Sequence, residues 1–428
     1  MFMTIEVFSL LVLLVMFVVA SALPINLGIM GFVAAFGVGA LLGGMTVDDL
    51  FAVFPGDLFI LLAGVTFLFA IAQNNGTVDL LMNWGVRLVR GNVGLVPWIM
   101  FTLTTLVTGV GALSSAGVAI VAPVALRSAA RYSISPLLMG IMVVQGATAG
   151  SYSPISPFGV ITNGVLSSRD LPQNPGLLFV NCLIFNFVIA GLVFVAFGGI
   201  RLLRRQVSLE EATASAGADD ESDSVVLTPY RGATLAGIGV LAITAFVFSS
   251  SDRFDIGFAA FIIGLVLVLI APREQGAALG KMPWPAILLI CGILTYVGVL
   301  DQIGTITYMQ DLIAGVGSPI VAALAASYVG GVISAFASTA AILGASIPLA
   351  EPILQGSGIS AIGVVTSIAI SSAIVDISPL STNGALLIAN AQDVDERKFF
   401  RQLLTWAVGV VVFAPFLAWL VFVVIGIP

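Results

Sequence analysis

The chain has 428 residues, of which 59% are hydrophobic and only 9% charged, and its mean hydropathy is +1.15. A soluble domain carries about 25% charged residues, so the composition excludes a water-soluble globular protein and leaves a polytopic membrane protein. The formal net charge of −7 rests largely on one acidic cluster, and no nucleic-acid partner is expected.

The start, Met1–Glu6, holds no Lys or Arg and so lacks the basic region of a cleaved signal peptide. Residues 6–23 read as a retained first crossing. Further segments long enough for about 30 Å of hydrocarbon lie at 25–44, 58–73, 135–168, 176–200, 232–250, 256–271, 285–300, 358–391 and 402–427. Two more apolar stretches, 93–133 and 318–356, behave differently. Their arms meet at Leu113-Ser114-Ser115-Ala116-Gly117 and at Phe336-Ala337-Ser338-Thr339-Ala340. Both read as re-entrant hairpins, because a non-helical tip at membrane depth is tolerated where protein or a watery cavity surrounds it. The alternative is two ordinary crossings in each stretch.

Residues 206–225 (QVSLEEATASAGADDESDSV) are small, polar and acidic without a basic residue. Such a composition cannot offset the entropy of ordering, so 206–231 is expected to be a disordered cytoplasmic linker between residues 1–205 and 232–428. The two halves repeat one another. ILLAGVTFLFAIAQNNG (60–76) resembles ILLICGILTYVGVLDQIG (287–304), SSAGVAIVAP (114–123) resembles the region of STAAILGASIP (338–348), and ITNG (161–164) resembles STNG (381–384). With the linker inside, every Lys and Arg except Arg169 and Arg253 falls on the cytoplasmic side, as the positive-inside rule requires. Each half then has an odd number of crossings. The halves are expected to be inverted repeats of five crossings, with both termini outside, the plan of many secondary transporters.

Each half also contains a polar interruption, SPISPFG (153–159) and DISPLSTNG (376–384). Ser156-Pro157 and Ser378-Pro379 each read as an N-cap followed by proline at the first helical position. Broken helices at 135–168 and 358–391 would then present free N–H groups on one side and free carbonyls on the other. The first suits an anion and the second a small cation. There is no histidine, which removes the commonest proton relay and metal ligand, and Cys182 and Cys291 both lie in apolar segments. Asp376 is the acid at a helix break; it would ligate a cation, carry a proton, or cap the following half-helix as a structural acid. Glu351 reads as interfacial, the stretches 77–91 and 302–315 as interfacial helices, and Trp84, Trp98 and Trp284 as interfacial anchors.

The runs Leu23-Pro24-Ile25-Asn26-Leu27-Gly28, FPGDLFILLAGVTFLFAIAQNNGT (54–77) and SPLLMGIMVVQGATAGSYSPISPFG (135–159) resemble the MatC family of dicarboxylate (malonate) carriers, in the divalent anion–sodium symporter branch of the ion transporter superfamily. The resemblance implies an elevator-type protein with scaffold and transport domains, working as a homodimer in the cell (inner) membrane. It implies sodium sites at the hairpin tips with a small dicarboxylate between them, and neither enzymatic activity nor a bound cofactor. In better-known relatives each tip reads Ser-Asn-Thr; here the triplets are Ser114-Ser115-Ala116 and Ser338-Thr339-Ala340. The expected substrate contacts are Ser114, Ser115, Ser156, Asn163, Ser338, Thr339, Ser378, Thr382 and Asn383. The expected cation ligands are Ser115, Ala116, Gly150, Ser338, Thr339 and Asp376. The alternative within the superfamily is a cation–proton antiporter, or a proton-coupled organic anion carrier, with Asp376 as the exchanged site.

Overall fold

The computed structural model describes residues 4–427 apart from 24, 79, 81–91, 204–226, 248–254, 309–317, 336–338, 355–357 and 392–393. Its elements are helices. In the first half they are α1 (Ile5–Ala22), α2 (Leu27–Ala34, continued by a π-helical segment Ala35–Leu42), α3 (Val47–Ala52), α4 (Gly56–Asn74), α5 (Val96–Gly109), α6 (Ser114–Arg131), α7 (Pro136–Gly150), α8 (Pro157–Ser168) and α9 (Pro175–Ala196). In the second half they are α10 (Pro229–Val247), α11 (Ile256–Ile270), α12 (Gln275–Lys281), α13 (Trp284–Gln302), α14 (Pro319–Ser334), α15 (Thr339–Leu349), α16 (Ala361–Ile374), α17 (Thr382–Ala389) and α18 (Glu396–Trp419). Most of the expected linker falls outside the described residues, and α10 begins at Pro229, before the linker's expected end at 231. Most of 77–91, with Trp84, and the latter part of 302–315 also fall outside them.

Among the described residues, five stretches are by themselves long and apolar enough to cross a membrane: Gly56–Asn74, Pro175–Ala196, Trp284–Gln302, Ala361–Ala389 and Arg397–Val424. The helices α11 and α12 make a sixth if their 117° bend is one span. With the shorter apolar helices around them they make a multi-pass membrane protein. Leu14, Ile184, Leu192, Ile243, Ile262, Leu269 and Phe413 are more than half exposed on their outer faces, the surface that hydrocarbon covers. The arms α5, α14 and α15 are 14, 16 and 11 residues long. At about 1.5 Å per residue they fall short of 30 Å of hydrocarbon.

The packing partners recur between the halves. Helix α2 packs on α13, and α11 packs on α4; α5 packs on α7 as α14 packs on α16; α7 packs on α9 as α16 packs on α18. The hairpin arms cross over, with α6 against α17 and α15 against α8. The first crossing pair meets through glycine. A Cβ on Gly28 would lie 2.0 Å from the Leu288 carbonyl oxygen, and one on Gly292 would lie 1.9 Å from that of Gly28. The second pair meets at Gly64 and Gly257, where a Cβ on Gly64 would lie 2.2 Å from the Gly257 oxygen. Close backbone approach of this kind is how membrane helices gain packing without a hydrophobic driving force. The helices that enter these crossings are capped alike, by the Asn26 side chain on Gly28 N–H (2.9 Å) and by Asp255 on Phe258 N–H (2.8 Å).

A side chain at Gly28 has only backbone to displace, whereas one at Gly37 meets nothing within 4 Å. Gly28→Leu is expected to lower stability by at least the ~1–3 kcal/mol of an overpacked core, read as a fall in the melting temperature of detergent-solubilised protein. Gly37→Leu should leave that temperature unchanged or slightly raised.

Candidate functional site

The two polar interruptions fold alike, in a register the sequence did not reveal. Ser153-Pro154-Ile155-Ser156-Pro157-Phe158-Gly159 superposes in its bonding on Ser378-Pro379-Leu380-Ser381-Thr382-Asn383-Gly384. In each, the first serine hydroxyl accepts from the N–H two residues on, at 3.4 Å from Ile155 and 3.3 Å from Leu380. Its carbonyl accepts from the second serine N–H at 2.9 Å in both. The glycine then backs onto that same carbonyl, so closely that a Cβ would lie 2.1 Å from the Ser153 oxygen and 1.9 Å from the Ser378 oxygen. The half-helices start after Ser156 and after Ser381.

This corrects two expectations. Ser378-Pro379 is a turn ahead of the helix, equivalent to Ser153-Pro154, and the N-cap is Ser381, whose side chain accepts from Gly384 N–H at 3.4 Å. ITNG and STNG are not equivalent: Asn163 is in the second turn of α8, while Asn383 is the second residue of α17 and corresponds to Phe158. Asp376 corresponds in turn to Ser151. The second break therefore carries an acid and an amide where the first carries a hydroxyl and a ring.

The hairpin tips correct a third expectation. Ser114 is the first residue of α6 and Thr339 the first described residue of α15, and the prolines inside these helices, Pro123 and Pro348, stand at the same distance along. Ser114 thus pairs with Thr339 and Ser115 with Ala340, one residue away from the triplets read in the sequence. Ser338 lies outside the described residues.

These elements meet across the halves. Asn383 Nδ2 donates to Ser114 Oγ at 2.9 Å, joining the second break to the first hairpin. Tyr152 in the first break donates its hydroxyl to the Ala369 carbonyl of α16 at 2.6 Å. Within the second half, Thr339 Oγ1 donates to Asp376 Oδ1 at 2.8 Å, and Ser334 Oγ lies 3.0 Å from Thr339 Oγ1. The Thr339 hydroxyl also faces the Ser372 carbonyl at 3.3 Å, and either hydroxyl can be the donor between Ser334 and Thr339. Ser114, Thr339, Asp376, Ser378 and Asn383 are all buried. Thr382 is exposed, and Ser115 and Ala116 are half-buried.

Other expected ligands have local structural roles. Ser156 donates to the Thr108 carbonyl and so ties the first break to α5. Gly150 gives room: a Cβ there would lie 2.2 Å from both Thr105 O and Thr108 Oγ1. Its carbonyl accepts from Ser153 N–H at 3.0 Å, which leaves one lone pair for a cation. Asn163 Nδ2 donates to Gly159 O at 2.7 Å, and its Oδ1 is buried without a partner among the described residues. Glu351 is held in an ion pair: Arg169 Nη1 lies 3.0 Å from it and 2.9 Å from Asp301. Trp98 packs among Phe101, Phe187 and Phe194, while Trp284 is 41% exposed, as an interfacial anchor would be.

The sequence reading passed over Gln145, Thr162 and Thr366. All three are buried on the broken helices, and both polar atoms of Gln145 and the hydroxyls of Thr162 and Thr366 lack a partner among the described residues. Such groups are rare in folded proteins without a water or ligand to satisfy them. A lone glutamine in the run MVVQGATAG was the available signal, because an unpaired amide is costly in an apolar segment.

Removing the Thr339 hydroxyl leaves Asp376 with no side-chain donor among the described residues. Thr339→Val is expected to destabilise by about 1.5–3 kcal/mol, the value of a hydrogen bond to a charged group, and Thr339→Ser by much less. In a thermal-unfolding double-mutant cycle, Asp376→Asn should recover part of the Thr339→Val loss.

Residues 3–151 match the family described as dicarboxylate carrier protein MatC N-terminus. No curated protein sequence matches the chain. Its fold is similar to that of the Alcanivorax borkumensis YdaH transporter, described as having an unusual topology, with a TM-score of 0.57 at 15% identity over 88% of this chain and 86% of that one. The resemblance read from the first-half motifs is thus borne out through the end of α7: residues 3–151 of this multi-pass membrane protein match a MatC dicarboxylate-carrier N-terminal region.

Proposed function

We propose that the protein is a secondary active carrier of a small dicarboxylate, such as malonate or a C4-dicarboxylate, driven by a coupled cation, with sodium the first choice. The observation that carries this reading is the junction of hairpin and break across the halves: Asn383 on Ser114, and Thr339 on Asp376. The helices α6, α8, α15 and α17 begin at these elements, and their first N–H groups with the positive dipole end favour carboxylate oxygens. Among the described residues, the ion pairs of Arg169 with Asp301 and Glu351 do not involve Ser114, Thr339, Asp376, Ser378 or Asn383. An anion bound by amides, hydroxyls and helix ends is readily released, which a carrier requires.

Asp376 supports cation coupling. A buried carboxylate with a single hydroxyl donor among the described residues is expensive unless a positive charge joins it. Sodium, a hard cation, would find the carboxylate, the Thr339 hydroxyl and spare carbonyl lone pairs at Val375–Ile377 close at hand. A second cation place near Ser115, Ala116 and Gly150 would have only neutral oxygens, so the second half is the stronger site. The proton alternative uses the same acid.

The halves are proposed to lie in opposite orientations, with α2, α4, α11 and α13 as scaffold and the hairpins, broken helices, α9 and α18 as the moving part. The symmetric exchange of packing partners supports this. Arg169, at the end of α8, bonds to Asp301 at the end of α13, a contact that such movement would break. A homodimer in the inner membrane completes the reading.

The test is uptake of labelled diacids into proteoliposomes under an imposed sodium or proton gradient. Sodium-driven uptake is expected, with Asp376→Asn raising the half-saturating sodium concentration about tenfold, equivalent to 1.4 kcal/mol. Uptake that ignores sodium and follows an inward proton gradient, with its pH dependence abolished by Asp376→Asn, would assign the acid to proton transport instead. Absence of diacid uptake under either gradient would overturn the proposal.

A further inference from the structure

The described residues also form a groove outside the hairpin–break junction. It runs between α9 and α18 and has a volume of about 1120 Å³, above the roughly 300–1,000 Å³ of ordinary small-molecule pockets. Its walls are Leu192 and Phe197 from one side and Phe413 and Leu417 from the other. Its floor reaches Leu137 at the start of α7 and Ile374 at the end of α16. At one end the lining changes to Arg397, Lys398 and Arg401, on the first turns of α18. Among the described residues no carboxylate forms an ion pair with these three. Asp395, also at this end, is engaged in capping α18 through Lys398 N–H at 3.1 Å.

We propose that this groove binds an anionic phospholipid, with its acyl chain between α9 and α18 and its phosphate at Arg397, Lys398 and Arg401. The shape argues for a long apolar chain, and the abrupt cationic end argues for a headgroup with net negative charge. Basic pockets between membrane helices recognise such headgroups, and each Lys or Arg near the surface is worth about 1 kcal/mol. Trp406, which lines the groove beside the basic end, stands edge-on to Phe197 with ring centroids 5.9 Å apart. A second copy of the chain fits less well, because a two-fold contact would set one cationic end against another. The floor gives the lipid a mechanical consequence: it touches both broken helices, at Ile374 only two residues before Asp376.

The test is lipid retention, which does not depend on which anion is carried or which way the chain is oriented. Purified protein is incubated with phosphatidylglycerol or phosphatidylcholine in mild detergent, separated from free lipid, and examined by native mass spectrometry. Phosphatidylglycerol should be retained at least about tenfold over phosphatidylcholine. The Arg397→Ala/Lys398→Ala/Arg401→Ala protein should lose that preference. Gly409→Trp provides a second variant, because Gly409 lines the groove and a Cβ there meets nothing within 4 Å. It should fill the groove, leave the basic end intact and also abolish retention. Equal retention of the two lipids, full retention by Gly409→Trp, or displacement of bound lipid by millimolar inorganic phosphate would each overturn the proposal. So would an intermolecular disulfide formed by Gly409→Cys, which would place a second copy in the groove.

Discussion

A helix that stops inside a membrane leaves N–H and C=O groups where no water can reach them, and each must be satisfied by protein or by a bound solute. This constraint organises the molecule. The breaks at 151–156 and 375–381 are built from serine, proline and glycine because those residues close the turn on itself. A serine hydroxyl takes one N–H, its carbonyl takes another, and glycine lets the next half-helix approach that carbonyl. What the turns leave free at the helix starts and ends is the raw material of a binding site. The hairpins of one half pack on the breaks of the other, so the proposed site needs both halves.

The two halves are alike in packing and unlike in chemistry. Glycine crossings, caps and helix partners repeat from one half to the other. At the breaks, Asp376 and Asn383 stand where the first half has Ser151 and Phe158. Phe158 instead packs near Tyr152, with ring centroids 5.7 Å apart, and Tyr152 bonds to α16. One half supplies the charged and amide groups and the other a rigid aromatic anchor. This division concentrates the proposed cation affinity in one place, next to the Ser114–Asn383 bond where an anion would be expected.

Much of this was legible in the sequence. Apolar lengths located most of the helices to within a few residues, because bilayer thickness leaves little freedom in their length. The interruptions were legible because Ser-Pro and Asn-Gly pairs have few uses inside an apolar helix. Their register was not. The letters of ITNG and STNG match, but a half-helix is defined by its cap and by where its glycine meets a carbonyl, and those are contacts between residues. The hairpin triplets slipped by one residue for the same reason: in-helix prolines, not the serines themselves, fix the alignment. Cross-half bonds such as Asn383 to Ser114, and the unpaired polar atoms of Gln145, depend on which helices become neighbours, which spacing within one segment does not specify.

The central claim is that the hairpin tips and the opposite breaks enclose the solute. It is tested most directly by protection of a thiol at the first tip. Ser115 is half-buried beside Ser114, so in a background with Cys182 and Cys291 replaced, Ser115→Cys reports access to the junction. The rate of its modification by a small maleimide would be measured with and without dicarboxylate, in sodium and in potassium. The account predicts that a transported dicarboxylate slows the reaction severalfold when sodium is present, while a cysteine at the exposed Gly37-side position Phe36 is unaffected. Modification of Ser115→Cys at one unchanged rate, with a dicarboxylate that the same protein demonstrably transports, would contradict it.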